Sequence, residues 1–411
     1  MKNILVVCEN LNINATSAGI VSSTFIQLLS DSGYDVTVMT ENNFDYPISW
    51  LPEKVKVVKF EIKREKKTIW NSIPKIKAIP AYFTGFSVTM RNRIEHYKIE
   101  INNQLATKNF DVIYALGVGN IFSPHFALAE MNLKIPFYVN IHDPFPMHVY
   151  PEPYKKSKTW ISNLLEKKFK IVLHKAKGIS FPSQFLLEHM SPTFPVIKEK
   201  GFVVPHIGTF LNNLPNDNQT KQGFAFNLSK INILHAGTLL GPRNPQFLLQ
   251  SIAELNQEVP GFLDKMCFTF IGNVNTELIT IVSNSESRNV HFINDRISYK
   301  KSVELIEQAN ASLVIEAISD FSPFLPGKVA DIAYSEKPII SLSPKNSEVR
   351  RLLGTDYPYQ SELNDVKIIK IILKKFFEDY KSNNVNISVI KELKKYVSIE
   401  YNAKVLKQNL N

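Results

Sequence analysis

The chain has 411 residues, 44% of them hydrophobic and 21% charged, and 48 Lys and Arg against 38 Asp and Glu give it a net charge of +10. That length allows two or three domains with cores that need no staple, and the composition excludes a disordered chain. No run approaches the roughly 18 apolar residues that cross a bilayer. Glu9 breaks the first apolar run, which argues against a secretory signal, and the two cysteines, Cys8 and Cys267, argue against a disulfide framework and for a reducing cytosol.

Ile4–Val7 reads as a first strand, Ile20–Leu29 as an amphipathic helix closed by Gly33, and Tyr34–Met39 as the next strand. Met90, Ile94, Tyr97, Ile101 and Leu105 recur at helical spacing and predict one buried stripe. Asp111–Ala115 and Phe137–Ile141 are further strands. From Leu211 to Lys230 the pattern lapses into polar sequence with Pro215 and Gly223, which predicts a linker. The rhythm restarts with strand 231–234, helix 244–255, strand 268–271, helix 301–309, strand 312–315, helix 328–334 and strand 338–342. Helices over 366–377 and 387–410 finish the chain. Such strand–helix alternation predicts an α/β fold with mostly parallel sheets covered on both faces. Two doubly wound domains of this kind, facing each other, bind ligands beyond the carboxyl ends of their strands.

The charge is uneven. Residues 1–210 carry 25 basic and 17 acidic residues, residues 211–411 only 23 and 21. Lys63–Lys98 holds nine basic and two acidic residues among aromatics, and Lys155–Lys177 holds eight and one. A basic, aromatic surface suits anionic lipid or an anionic substrate, with a plain solvated face as the alternative. No nucleic-acid motif accompanies these segments, so nucleic acid is not an expected partner.

Several motifs fail on chemistry. Gly117-Val118-Gly119-Asn120-Ile121-Phe122 has Phe where a dinucleotide loop needs its third glycine, and Ser322 and Val329 spoil a P-loop around Gly327-Lys328. No zinc, nucleophile-elbow or Asp-x-Asp pattern occurs, so neither metal nor cofactor is expected.

Four strand-following loops remain. In His235–Pro245, Gly237 and Thr238 offer backbone to a ligand, and Arg243 stands beside a helix start capped by Asn244 and Pro245. In Phe321–Ala333, Lys328 and Asp331 share the first turn of a helix, one suited to a diphosphate and the other to ribose hydroxyls; a surface salt pair is the alternative. Asn140-Ile141-His142-Asp143 ends a strand in two titratable residues, and Ser17-Ala18-Gly19 opens a helix.

In order and spacing, these loops resemble GT-B glycosyltransferases of the large retaining family, family 4-like, that includes many bacterial cell-surface polysaccharide enzymes. Ala236–Leu249 is similar to the family's Gly-Arg-Leu-x-x-x-Lys-Gly segment, with Thr238 for the usual Arg and Arg243 where the family has Lys. Pro326–Asp331 is similar to its Pro-Ser-Lys-x-x-Glu/Asp variant. Asp331 keeps the second carboxylate of the family's motif, whereas Pro323 replaces the first.

The resemblance implies a GT-B fold, two Rossmann-like domains facing a central cleft. Residues 1–210 would bind the acceptor, 211–230 link, 231–386 bind the nucleotide-sugar, and helix 387–411 cross back to the first domain. It implies metal-independent, retaining transfer of a hexosyl-type group from a nucleoside diphosphate sugar to a lipid-linked or surface-glycan acceptor, in the cytoplasm or peripheral on the inner face of the cell membrane. Arg243, Lys328 and the Gly237-Thr238 backbone would take the leaving charge. His142 would contact the reacting sugar or shuttle a proton, Asp331 would bind the ribose, and Asn273, Asp295 and Arg296 would border the base. Ser17, Gly19, His142 and Asp143 would line the acceptor side. A nucleotide-sugar epimerase of the same architecture and a non-catalytic binding subunit are the alternatives.

Overall fold

The computed structural model describes residues 2–14, 16–42, 48–63, 74–117, 122–208, 214, 224–285, 287 and 289–410, with side chains in the stretch from 74 described from 79 onward. Most of the expected linker 211–230, residues 64–73 of the first basic segment and residues 118–121 of the glycine-containing loop lie outside the described residues. The chain divides into two compact units, one of Met1–Pro205 with Asn402–Asn411, the other mainly Leu214–Tyr401.

The first unit holds seven parallel strands, β1 (Asn3–Cys8), β2 (Asp35–Glu41), β3 (Lys56–Phe60), β4 (Val112–Leu116), β5 (Phe137–Asn140), β6 (Gly178–Phe181) and β7 (Gly201–Val203). Their order is β3-β2-β1-β4-β5-β6-β7, so the sheet grows one way from β1 and then reverses to place β4 on its other side. In the register, Ile4 lies between Val36 of β2 and Val112 of β4. The near-continuous apolar runs fit strands covered on both faces.

Its principal helices are α1 (Ser17–Asp31), α2 (Pro74–Thr84), α3 (Val88–Thr107), α4 (Ser123–Glu130) and α5 (Trp160–Lys175), followed by the short α6 (Gln184–Met190) and α7 (Ile197–Lys200). Thr16 caps α1, its Oγ1 accepting from the Gly19 amide at 3.1 Å. Ser87 caps α3 on the Met90 amide, and the expected stripe is there: Ile94, Tyr97 and Ile101 are fully buried while Met90 and Leu105 pack at its ends. Phe122, Phe145 and Phe169 meet edge-on or tilted at 4.7–5.1 Å between ring centroids, which locks α4 and α5 into the core.

The second unit holds β8 (Ile231–Ala236), β9 (Met266–Ile271), β10 (Val290–Ile293), β11 (Ala311–Ile315), β13 (Ile339–Leu342) and β15 (Gln360–Ser361), all parallel, in the order β10-β9-β8-β11-β13-β15. A short ribbon pairs β12 (Phe321–Ser322) with β14 (Asn346–Ser347). Helices α8 (Gln246–Glu258), α9 (Phe262–Lys265), α10 (Ile279–Ser285), α11 (Tyr299–Gln308), α12 (Lys328–Tyr334), α13 (Glu348–Leu353), α14 (Val366–Lys381) and α15 (Ser388–Tyr396) complete it. Here the order reverses between β8 and β11.

The single helix expected over 387–410 is two, α15 and α16 (Ile399–Asn409). Ser398 divides them: its Oγ accepts the Tyr401 amide at 3.2 Å, as a new N-cap does. Toward the end of α16, the Leu410 carbonyl accepts from Lys2 Nζ at 2.8 Å, within the first unit.

A cationic cluster at the carboxyl edge of the second sheet

In a parallel sheet, loops diverge at the carboxyl edge where the strand order reverses, and the gap between them takes ligands. In the second sheet the diverging loops follow β8 and β11. The loop after β8 is laced to its neighbour after β9: the Gly237 amide donates to Ile271 O at 2.8 Å, Leu239 to Asn273 O at 2.9 Å, and Asn275 back to Leu239 O at 2.9 Å. Gly237 (φ +149°) and Gly272 (φ +139°) take backbone conformations that side chains disfavour, and a Cβ at Gly272 would stand 2.5 Å from Gly237 O.

Four charged or titratable groups gather over this shelf. His235, 1% exposed, is the penultimate residue of β8; its Nδ1 lies 3.0 Å from Leu313 O and 3.3 Å from Lys328 Nζ. A carbonyl only accepts, so the proton sits on Nδ1 and Lys328 approaches another donor. His235 Nε2 is buried without a hydrogen-bond partner. Burial, then Lys328, then Arg243 drive the imidazole well below its usual range, against the Leu313 bond, so it is neutral.

Lys328 opens α12. Burial and the Arg243 guanidinium push its ammonium down to about 7, against the pull of Glu316. Glu316 follows β11 directly, is 3% exposed and accepts from Ser322 Oγ at 2.5 Å. Burial raises its pKa, opposed by Ser322, Ser343, Arg243 and Lys328. Lys328 and Arg243 therefore repel each other beside one buried carboxylate and a neutral imidazole, and a bound anion would relieve that repulsion.

Asp331 lies one turn into α12, where its Oδ1 accepts from Tyr299 OH at 2.8 Å. Tyr299 is buried at the start of α11, which Ser298 caps. α8 begins at Gln246, two residues later than expected, because Asn244 Oδ1 accepts the Gln246 amide at 3.0 Å.

Thr238 and Asn273 are exposed at the tips of the laced loops. Asp295 and Arg296 are exposed after β10, two strands and so about 10 Å from β8. The structure thus brings Arg243, Lys328 and Gly237 together and leaves Asp295 and Arg296 at the flank. A Cβ at Gly237 would stand 3.3 Å from Lys328 Nζ. Among the described residues, no group of three or more His, Cys, Asp and Glu could hold a metal.

In the first sheet the corresponding reversal lies between β1 and β4. Ser17 is exposed at the start of α1. Gly19 is buried where a Cβ would stand 2.2 Å from Asn12 O, so only glycine lets this loop fold back on the helix. His142 and Asp143 are half-buried just past β5, and after burial itself the Asp143 charge helps raise the Tyr150 phenol.

A further cluster escapes the sequence reading. Glu9, 3% exposed, follows β1, and Glu41 ends β2. Arg93 of α3 lies 2.6 Å from Glu41 Oε1 and 3.6 Å from Glu9 Oε2, and Tyr97 OH donates to Glu41 at 2.7 Å. Burial pushes Glu9 up to about 8, with Arg93 opposing. Glu9 and Glu316 each directly follow an apolar strand, the same signal that singled out His142.

No protein-family model matches the sequence, and no curated protein matches it. Solved structures do match along the whole chain. A sucrose-phosphate synthase from Thermosynechococcus elongatus aligns with a TM-score of 0.65 at 12% identity, over 99% of this chain and 98% of that one. A UDP-forming alpha,alpha-trehalose-phosphate synthase from Burkholderia vietnamiensis aligns at 0.64 and 9%, over 100% and 98%. A trehalose-6-phosphate structure from E. coli, bound with UDP-2-fluoro glucose, aligns at 0.64 and 9%, over 99% and 98%. Likeness at these identities shows the fold alone: two parallel-sheet Rossmann-like domains of GT-B type.

Proposed function

We propose that the chain is a glycosyltransferase that moves a sugar from a nucleoside diphosphate sugar to an acceptor hydroxyl. The observation that carries this is the cationic cluster at the β8/β11 reversal, where Lys328 and Arg243 stand close enough to repel each other beside the buried Glu316. The similarity in fold to UDP-forming synthases supports it.

In such a transfer the bond from the anomeric carbon to the diphosphate oxygen breaks, and the acceptor oxygen bonds that carbon. The departing diphosphate gains negative charge. Lys328, Arg243 and the Gly237-Thr238 backbone take that charge, preorganised before the bond breaks. Asp331, oriented by Tyr299, accepts from the ribose hydroxyls, and Asn273, Asp295 and Arg296 border the base. Ser17, Gly19, His142 and Asp143, at the carboxyl edge of the first sheet, belong to the acceptor side, with His142 donating to the sugar or moving the acceptor proton.

Retention, independence of metal, a hexosyl donor and a lipid-linked or surface-glycan acceptor at the cytoplasmic membrane face complete the reading. They rest on the loop resemblances, with Pro323 in place of the first motif carboxylate.

Calorimetry against UDP, GDP, ADP and TDP, with diphosphate release from the matching sugars followed alongside, tests the proposal. Binding with release on adding an acceptor supports it. Binding without release leaves the binding-subunit reading, and no binding to any of the four overturns the donor site.

A further inference from the structure

One buried side chain beside Lys328 takes no part in the transfer chemistry above. His235 is 1% exposed, and its Nε2 is buried without a hydrogen-bond partner. The polar contacts of the ring therefore run through Nδ1, which stands 3.0 Å from Leu313 O and 3.3 Å from Lys328 Nζ. Ser312 is the register partner of Leu234, so the bond from His235 to Leu313 ties β8 to β11 at the reversal and fixes the ring. Among the described residues, His235 is the only group in hydrogen-bond contact with Nζ.

The two neighbours of Nδ1 make unequal demands. Leu313 O can only accept, so it keeps the ring proton on Nδ1. An ammonium can only donate, so a charged Lys328 sets its N–H groups against the Nδ1–H. An uncharged amine has one lone pair, which can accept from the Nδ1–H that Leu313 shares. The contact thus favours one charge state of Lys328 over the other. The remaining groups pull in both directions. Arg243, from the loop after β8, opposes the charge on Lys328, and Glu316, after β11, supports it. Arg350 of α13 acts on Glu316 in turn, and Asp331, one turn further along α12, is held by Tyr299 of α11.

We propose that His235 is the positioning residue of Lys328: its Nδ1–H holds the uncharged amine while no anion is bound, and Lys328 leaves it for a diphosphate by taking one proton from solvent. Before binding, the Nζ lone pair accepts from Nδ1. After binding, that lone pair carries the new proton, the ammonium donates to phosphate oxygen, and the Nδ1 proton stays with Leu313 O. Binding of the donor then takes up a proton, and release of the nucleoside diphosphate returns it. The inference rests on the donor site proposed above and adds to it a residue that touches Lys328 and not the ligand. Burial and Arg243 favour the same uncharged amine.

The test is calorimetry of the full chain with UDP, GDP, ADP and TDP in Tris and in HEPES, where the difference in heat between buffers counts protons. At about pH 8 the wild type should take up close to one proton per nucleoside diphosphate bound. H235F removes the Nδ1–H from the amine. The fall of affinity with pH should then move up by about one pH unit, and uptake at about pH 8 should drop to about half. H235N returns an amide N–H to the place of Nδ1–H and should restore both readings. A purely structural His235 would weaken binding equally at every pH. Nitrogen NMR of labelled histidine in the wild type, with the His235 signal identified by its loss in H235N, should find the ring proton on Nδ1, whether or not H235F folds. A ring proton on Nε2, no proton uptake by the wild type, or a pH midpoint unmoved in folded H235F would each overturn the inference and leave the donor site standing. No binding of any of the four by the wild type would overturn both.

Discussion

At the carboxyl edge of the first sheet, Glu9 and Glu41 share one arginine, Arg93; at that of the second, Lys328 and Arg243 share one carboxylate, Glu316. The two reversals are built alike and balanced oppositely. The first imbalance settles internally: burial lifts Glu9 to about 8, so at neutral pH it keeps its proton, and Tyr97 donates to Glu41. The second settles in the same way, on the base instead of the acid. Lys328 sheds part of its charge near pH 7, and His235 Nε2 is buried without a partner. An anion at the second edge would restore the charge on Lys328.

The largest test of this contrast removes the cations. Lys328→Ala or Arg243→Ala should lower turnover by about 10²–10³-fold in steady-state assays. Unchanged turnover in both would leave the second edge with no claim to the leaving diphosphate.

Next is Asp331→Asn, which gives up a charged acceptor held by Tyr299. By calorimetry it should weaken nucleoside diphosphate binding about tenfold. Equal affinity would remove Asp331 from the ribose.

Protonation sharpens the comparison further. A diphosphate favours charged Lys328, so wild-type affinity should fall as pH rises above about 7, by up to about tenfold per pH unit. Glu316 holds the Lys328 pKa up, so Glu316→Gln should move that fall to lower pH. An affinity profile flat from pH 6 to 9, about the window that brackets this titration, would contradict both statements.

The smallest effect belongs to the first edge. The folded pKa of Glu9 lies above its unfolded value, so the folded state binds more protons between about pH 4.5 and 8. Its contribution to stability is present at low pH and lost as pH rises through 8. Glu9→Gln cannot ionise, so its melting temperature relative to wild type should rise across that window. A difference independent of pH would mean that Glu9 does not carry the titration.

Much of this was legible in the sequence. Short apolar runs alternating with helical stretches located strands 231–234 and 312–315 and helix 328–334, because strands covered on both faces are apolar throughout. Lys328 and Arg243 were readable because each stands at the start of a helix that follows a strand. Glu316 and Tyr299 were not. Glu316 acquires its character from burial beside Ser322, seated by the β12–β14 ribbon, and Tyr299 from a fold that carries it to Asp331, 32 residues along the chain. The sequence reads as one final helix because its apolar spacing runs past Ser398, whose capping bond starts a second helix after the first has ended at Tyr396. Pairings across long sequence separations leave no periodic trace.

The lacing of the loops after β8 and β9 has a consequence for timing. With Gly237 and Leu239 both donating across to the neighbouring loop, their amides extend the sheet's ladder past the last strand residues. Such protons exchange with solvent only when that ladder opens. They should therefore be protected before any ligand arrives, so that the shelf beneath Lys328 is already set in the chain alone.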